Sequence, residues 1–305
     1  MDLLFNFSDI FLKINWMNSN KKKILEDILK NLKIKKGSNI YLGIDLVKLY
    51  KFLDIKKIDL YEFADQILIF FLSYLGTKGN LVVPVFNFDC ISKKKFHIIK
   101  SPGQSGLFGD ILLRKYSKFR TFHPIYSFLC FGNDSKKYKK IINPGATTKN
   151  SMWKYFIEDQ FKLVTLGHHY SRSLTHVHYI EELVNIDYRF KLKFSLDYTD
   201  RKNSTKKKIF SFFARKPEIC KFSGMTKNCD KIFLKLKIAD FYKSKDFISF
   251  KLNLNEASNL LYKDVKKKSE NLISYIGPNK KNKNVLTSNT ILDLEKYYRN
   301  NKIFN

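Results

Sequence analysis

No pair of the four cysteines, Cys90, Cys130, Cys220 and Cys229, has Cys-x-x-Cys spacing. That absence argues against a zinc ribbon and against a disulfide framework, and free thiols in a reducing, cytoplasmic compartment are the simplest account. Long apolar runs are missing too, since the longest, such as Gln66 to Leu75, are too short to span a bilayer. Met1 to Met17 is apolar but has neither a basic leading segment nor a small-residue cleavage site, so no signal peptide is expected. An amphipathic helix packing on the domain is the expectation there, with peripheral membrane association through residues 1–17 as the other reading. Neither a Walker nor a dinucleotide glycine fingerprint is present, and no internal repeat is visible. Acidic residues are scarce, 28 against 57 lysines and arginines, giving a formal charge of +29. Arginines, which dominate base and bidentate phosphate recognition, are few among the basic residues. The lysines are spread along a chain also rich in Asn, Ile and Phe, as a genome biased toward A and T would give. Specific nucleic-acid binding is therefore not expected.

With 305 residues, 44% of them hydrophobic, the chain can bury a sizeable core. Ser19 to Leu32 places Ile24, Leu25, Ile28, Leu29 and Leu32 on one helical stripe. Asn39 to Leu42 reads as a buried strand running into a loop at Gly43-Ile44-Asp45. Asp59 to Leu75 is a second helix, and Leu81 to Phe86 a second strand ending at the tip Asn87-Phe88-Asp89. Leu107 to Tyr116 reads as a helix, Phe128 to Phe131 as a strand, Ser151 to Phe156 as a helix and Phe161 to Leu166 as a strand. Alternating helices and strands predict an α/β fold, a three-layer α/β/α sandwich around a central mixed sheet. Beyond Tyr188, Asp200 to Lys208 reads as a solvated basic loop, Ile209 to Arg215 as a strand and Leu254 to Val265 as helical. The expected division is an apolar extension over 1–18, one domain over 19–275 and a loose basic tail over 276–305, with one helix at Ile291 to Tyr298. The oligomeric state is left open.

In open α/β sheets ligands collect outside the carboxyl ends of the strands, which singles out Asp45 and Asp89. Ser101 to Asp110 brings small residues, Ser105 and Gly106 among them, to a helix N-terminus, where backbone N–H groups attract an anion. Arg120, His123 and Ser127 surround a proline before a strand. Two readings are open for them: local turn satisfaction and substrate contact. Thr175-His176-Val177-His178-Tyr179-Ile180-Glu181 follows another strand. On a helix, His178 and Glu181 share one face, and a carboxylate beside an imidazole fixes its tautomer and raises its basicity, as a general base requires. The alternatives are a surface pair and a zinc site drawn from His168, His169, His176 and His178. The histidine spacing does not converge on one point, and no metal is expected. Cys130, inside an apolar run, reads as core.

Taken in order, these motifs resemble the aminoglycoside 3-N-acetyltransferase family, most closely its members in surface-polysaccharide biosynthesis rather than in antibiotic resistance. The resemblance covers roughly residues 20 to 270. His123-Pro124-Ile125-Tyr126-Ser127-Phe128 and His178-Tyr179-Ile180-Glu181-Glu182 are its most specific parts. It implies acetyl-CoA-dependent transfer to an amino-sugar amine, with His178 as base and Glu181 orienting it. Thr175 would lie beside the thioester, while Ser105, Gly106, His123 and Ser127 would line the acyl-CoA cleft. Asp89 and Asp45 would face the acceptor, a small amino sugar that is free or linked to a nucleotide or lipid. Three positions depart from the family pattern. Gly43-Ile44-Asp45 stands where a His-Ser or Ser-Ser pair is usual, Thr121 where serine is usual, and Met152 where proline is frequent. The first departure keeps a non-catalytic binding protein in view.

Overall fold

The computed structural model describes residues 19–267 apart from 57, together with 271–278, 284–287, 289, 291, 295 and 296. The apolar extension at 1–18 and most of the expected helix from Ile291 to Tyr298 lie outside the described residues. The strands are β1 Asn39–Ile44, β2 Asn80–Pro84, β3 Lys95–His97, β4 Phe128–Gly132, β5 Lys162–Leu166, β6 Arg189–Thr199, β7 Thr205–Arg215, β8 Phe222–Met225, β9 Ala239–Ser244, β10 Phe247–Asn253 and β11 Ile273–Ile276. Six of them form one sheet in the order β4-β2-β1-β5-β10-β9. Its centre is parallel, β2 and β5 flanking β1, while β4 and β10 run antiparallel to that centre and β9 pairs antiparallel with β10.

Both faces of this sheet are covered, which is why its strands read as near-continuous apolar runs. The two-residue strand period sends alternate side chains to opposite layers. Ile40, Leu42, Leu81, Val83, Leu129, Phe131, Val164 and Leu166 join a core with the helices Ser19–Asn31, Leu60–Leu75 and Leu107–Tyr116. Tyr41, Val82, Phe128, Cys130 and Leu163 face the other layer, built on the helices Met152–Glu158, Val177–Leu183 and Leu254–Lys267. The expected three-layer architecture is present, and all four cysteines are buried and free. Among the described residues no helix is long and apolar enough to cross a membrane.

Two expectations need correction. The stretch from Asp200 to Lys208 is a solvated loop only as far as Ser204, where an exposed turn joins β6 to β7. Lys206, Lys207 and Lys208 lie in β7 and pair with Tyr198, Asp197 and Leu196 of β6, an eleven-residue strand that the sequence pattern did not mark. Lysine is poor in strands, and the cross-strand partners that override this preference are visible only once the hairpin closes. The C-terminal segment is not loose where it is described: Val285, Leu286, Ile291 and Glu295 are all buried. A lysine-rich average concealed these apolar anchors and one buried carboxylate.

Candidate active site

The helix Val177–Leu183 puts His178 and Glu181 on one face, with His178 Nδ1 2.6 Å from Glu181 Oε2. Glu181 is fully buried, and two residues from the start of β6 complete its surroundings. Tyr188 donates its hydroxyl to Oε1 at 2.8 Å, and Arg189 Nε lies 2.7 Å from Oε2 as an ion pair without hydrogen-bond alignment. Arg189 is fixed in turn by Phe213 O and Ser223 Oγ. Arg189 Nη2 also stands 3.0 Å from His178 Nδ1. A nitrogen that donates to a carboxylate cannot accept from a guanidinium as well. The shorter, charge-assisted bond to Glu181 decides the tautomer, so the proton sits on Nδ1. Nε2 carries the lone pair and has no partner among the described residues, and 21% of the side chain stays exposed.

Burial holds the His178 pKa below its ordinary value; Glu181 opposes this and Arg189 reinforces it. Burial alone would raise the Glu181 carboxyl, but His178 and Arg189 outweigh it and keep the group ionised. The arrangement is a neutral imidazole beside a permanent carboxylate, which accepts a proton at Nε2 and stabilises the resulting imidazolium. Sequence spacing identified the pair. It missed Tyr188 and Arg189, because no local signal says that β6 returns to this helix.

A cleft of about 310 Å³ opens at the carboxyl ends of β1 and β2. Its walls include Asp45, Ser105, Gly106, His168, Arg172 and Ser173. Gly106 has φ +109 and nothing within 4 Å of a Cβ built on it, so the first turn of the helix Leu107–Tyr116 is open to the cleft. Arg172 and Lys48 stand near this end, each 3.3 Å from the buried carboxylate of Glu295. Gly43 explains itself here. A Cβ on it would overlap Ser173 Oγ and lie 3.2 Å from His168 Nε2. Those two side chains, 2.9 Å apart, bring a hydroxyl and an imidazole from the loop after β5 to the place a β1 side chain would fill. The same loop leads to Thr175, whose hydroxyl lies within reach of the Tyr41 hydroxyl, and then to His178. Gly43→Ser is therefore expected to displace Ser173 and His168 and to lower stability by about 1–3 kcal/mol, read by urea unfolding; an unchanged midpoint would contradict this packing.

The other expected site residues divide. Ser105 lines the cleft while its hydroxyl accepts from Phe86 N at 2.7 Å. Asp45 borders the cleft but caps the helix Leu46–Phe52, accepting from Lys48 N at 3.0 Å. Asp89 is engaged by Lys93 at 2.7 Å; that bond, and then one with Gln104, hold its carboxyl below the usual range. His123 and Ser127 were expected to line the cleft, but their polar atoms are committed to the chain. His123 Nε2 meets Pro144 O, while Nδ1 accepts from Ile125 N and Tyr126 N. Ser127 Oγ donates to Val85 O and accepts from Arg120 Nε. Local turn satisfaction, the other reading, is the one the geometry supports. His123 thereby fixes Tyr126, whose buried ring lies within electrostatic range of Arg189 and Glu181. The histidines go separate ways: His169 meets Ser171 and Asp230, and His176 is buried with neither ring nitrogen bonded to a described residue. Among the described residues no group of three or more His, Cys, Asp or Glu could hold a metal ion.

A family model described as "Aminoglycoside 3-N-acetyltransferase" matches residues 59–238. No curated protein matches the sequence. Solved structures do resemble it. A sisomicin-bound AAC-VIa is 15% identical, covering 81% of this chain and 98% of that one at a TM-score of 0.62. AAC-IIIb with CoASH is 13% identical over 81% and 96%, at 0.64. YokD from Bacillus subtilis is 18% identical over 80% and 97%, at 0.58. At such identities the likeness establishes the fold.

Proposed function

This chain belongs to the aminoglycoside 3-N-acetyltransferase family, and from that premise we propose that it transfers an acetyl group from acetyl-CoA directly to the amine of an amino sugar, with His178 as the general base. The observation that carries this reading is the His178 ring, with Nδ1 held by a buried carboxylate and Nε2 left open. As the amine attacks the thioester carbonyl, Nε2 takes its proton and the C–N bond forms. The C–S bond then breaks, and the proton returns from Nε2 to the departing thiolate. The products are an N-acetylated amine and CoA, and no enzyme residue becomes acylated. Arg189 has a second use, because a cation beside the site favours the neutral, nucleophilic form of the amine.

The cleft residues fit the co-substrate. Backbone N–H groups beside Gly106 and the cations Arg172 and Lys48 suit phosphates, while Thr175, Ser173 and His168 suit the acyl-pantetheine arm. AAC-IIIb has been solved with CoASH, and AAC-VIa with an amino-sugar antibiotic, sisomicin. Four buried free thiols suit a reducing compartment, so the cytoplasm is the proposed site of action.

The test is acetyl transfer by the purified chain, with the N-acetyl product identified by mass spectrometry. At saturating acceptor, kcat is expected to fall on the acid side with an apparent pKa below about 6.5, the ordinary imidazole value. The sign follows from burial and Arg189, both of which disfavour the protonated ring. An acid limb at or above that value would assign the proton to another group. Absence of any acetyl-CoA binding would favour the non-catalytic reading.

A further inference from the structure

We propose that the acceptor is an anionic amine, an amino sugar carrying a phosphate or diphosphate, and that Arg215 binds that anion beside His178; this rests on the acetyltransferase reading above.

Arg189 and Arg215 are directly paired across β6 and β7. Residues so placed have Cβ atoms about 4.5–5.5 Å apart, and like charges there destabilise the pair. Only one of the two is compensated. Arg189 has Glu181 Oε2 at 2.7 Å and two further acceptors. Arg215 is exposed, donates to the Lys221 carbonyl, and meets no carboxylate among the described residues. Arg189 Nη2 is 3.0 Å from His178 Nδ1, so the uncompensated guanidinium stands one strand away from the base. Its charge reaches both His178 and Tyr126. An anion held there would relieve the Arg–Arg repulsion and use a planar fork suited to phosphate.

The carboxylates argue the same way by their engagement. Glu181 serves His178, Arg189 and Tyr188. Glu182 meets Thr147 and Lys191, Asp89 meets Lys93, and Asp45 caps a helix. A polycationic acceptor would therefore find its expected counter-charges occupied. It would also face the hairpin over residues 189–216, which carries ten lysines and arginines against two aspartates.

The experiment follows CoA release with four acceptors: glucosamine, glucosamine 1-phosphate, UDP-glucosamine and sisomicin. The expected order of kcat/KM places the phosphorylated sugars above glucosamine and sisomicin last, with rising salt eroding the advantage. The sugar 1-phosphate and the nucleotide sugar separate a bare phosphate from a nucleoside diphosphate as the bound group. Arg215→Gln is expected to lower kcat/KM for the phosphorylated acceptors about tenfold more than for glucosamine, chiefly through KM, and Arg215→Lys to restore part of the difference. Arg215 is exposed, so both variants should fold. Transfer to sisomicin exceeding transfer to the phosphorylated sugars would overturn this inference alone, as would an equal loss across acceptors in Arg215→Gln. Failure to acetylate any of the four would overturn it together with the proposed function.

Discussion

His178→Ala is expected to lower kcat by about 10²–10⁴-fold, the usual contribution of a positioned general base. The loss should fall on kcat, because in the proposed mechanism Nε2 takes a proton only as the amine attacks, while the proposed acetyl-CoA contacts lie in the cleft lined by Ser105, Gly106, Arg172 and Ser173. The variant should remain folded, since Glu181 keeps Tyr188 at 2.8 Å and Arg189 at 2.7 Å and is not left as an unpaired buried charge. Kinetics, calorimetry of acetyl-CoA binding and circular dichroism together read the three parts. A variant retaining kcat within about threefold would remove His178 as the base. One that binds no acetyl-CoA would show that the ring shapes the cleft instead.

A second large effect concerns pH and stability. Burial pushes His123 down to about 3, His168 to about 4 and His176 to about 3. The unfolded chain therefore binds protons on these three histidines below about pH 6.5 while the folded chain does not, so stability present above that pH is lost on acidification. Each site contributes about 1.4 kcal/mol per pH unit between its two pKa values, so three give about 4 kcal/mol per unit and about 6 kcal/mol of lost stability at pH 5. That is comparable to the whole stability of many domains, about 5–15 kcal/mol. Urea unfolding at pH 7, 6 and 5 should show a steep fall in midpoint, and an unchanged midpoint would contradict these burials. His176→Leu, which removes two unbonded buried nitrogens, should reduce the fall by about one third if the three sites contribute equally.

Much of the site was legible because its signal is local. A three-residue separation puts His178 and Glu181 on one helical face wherever that helix lies. The alternation of apolar segments likewise specifies which strands are buried on both faces. The helix Leu107–Tyr116 has the bounds its pattern gives. His123 and Ser127 illustrate the limit. Both atom sets are chemically able to hold a ligand, and only the positions of Pro144 and Val85, 21 and 42 residues away in the chain, show them already used.

The sequence by itself determined the layered α/β class, the unpaired cysteines with Cys130 in the core, and the histidine–carboxylate pair, all of which follow from periodicity, composition or spacing within one segment. Tertiary structure alone decided what surrounds the pair. β6 returns Tyr188 and Arg189 to Glu181, the register of β6 with β7 sets Arg215 opposite Arg189, and the loop after β5 fills the space beside Gly43 with Ser173 and His168. The physical reason is that charge compensation and tautomer depend on distances of a few ångströms between segments far apart in the chain, and no local pattern encodes those distances.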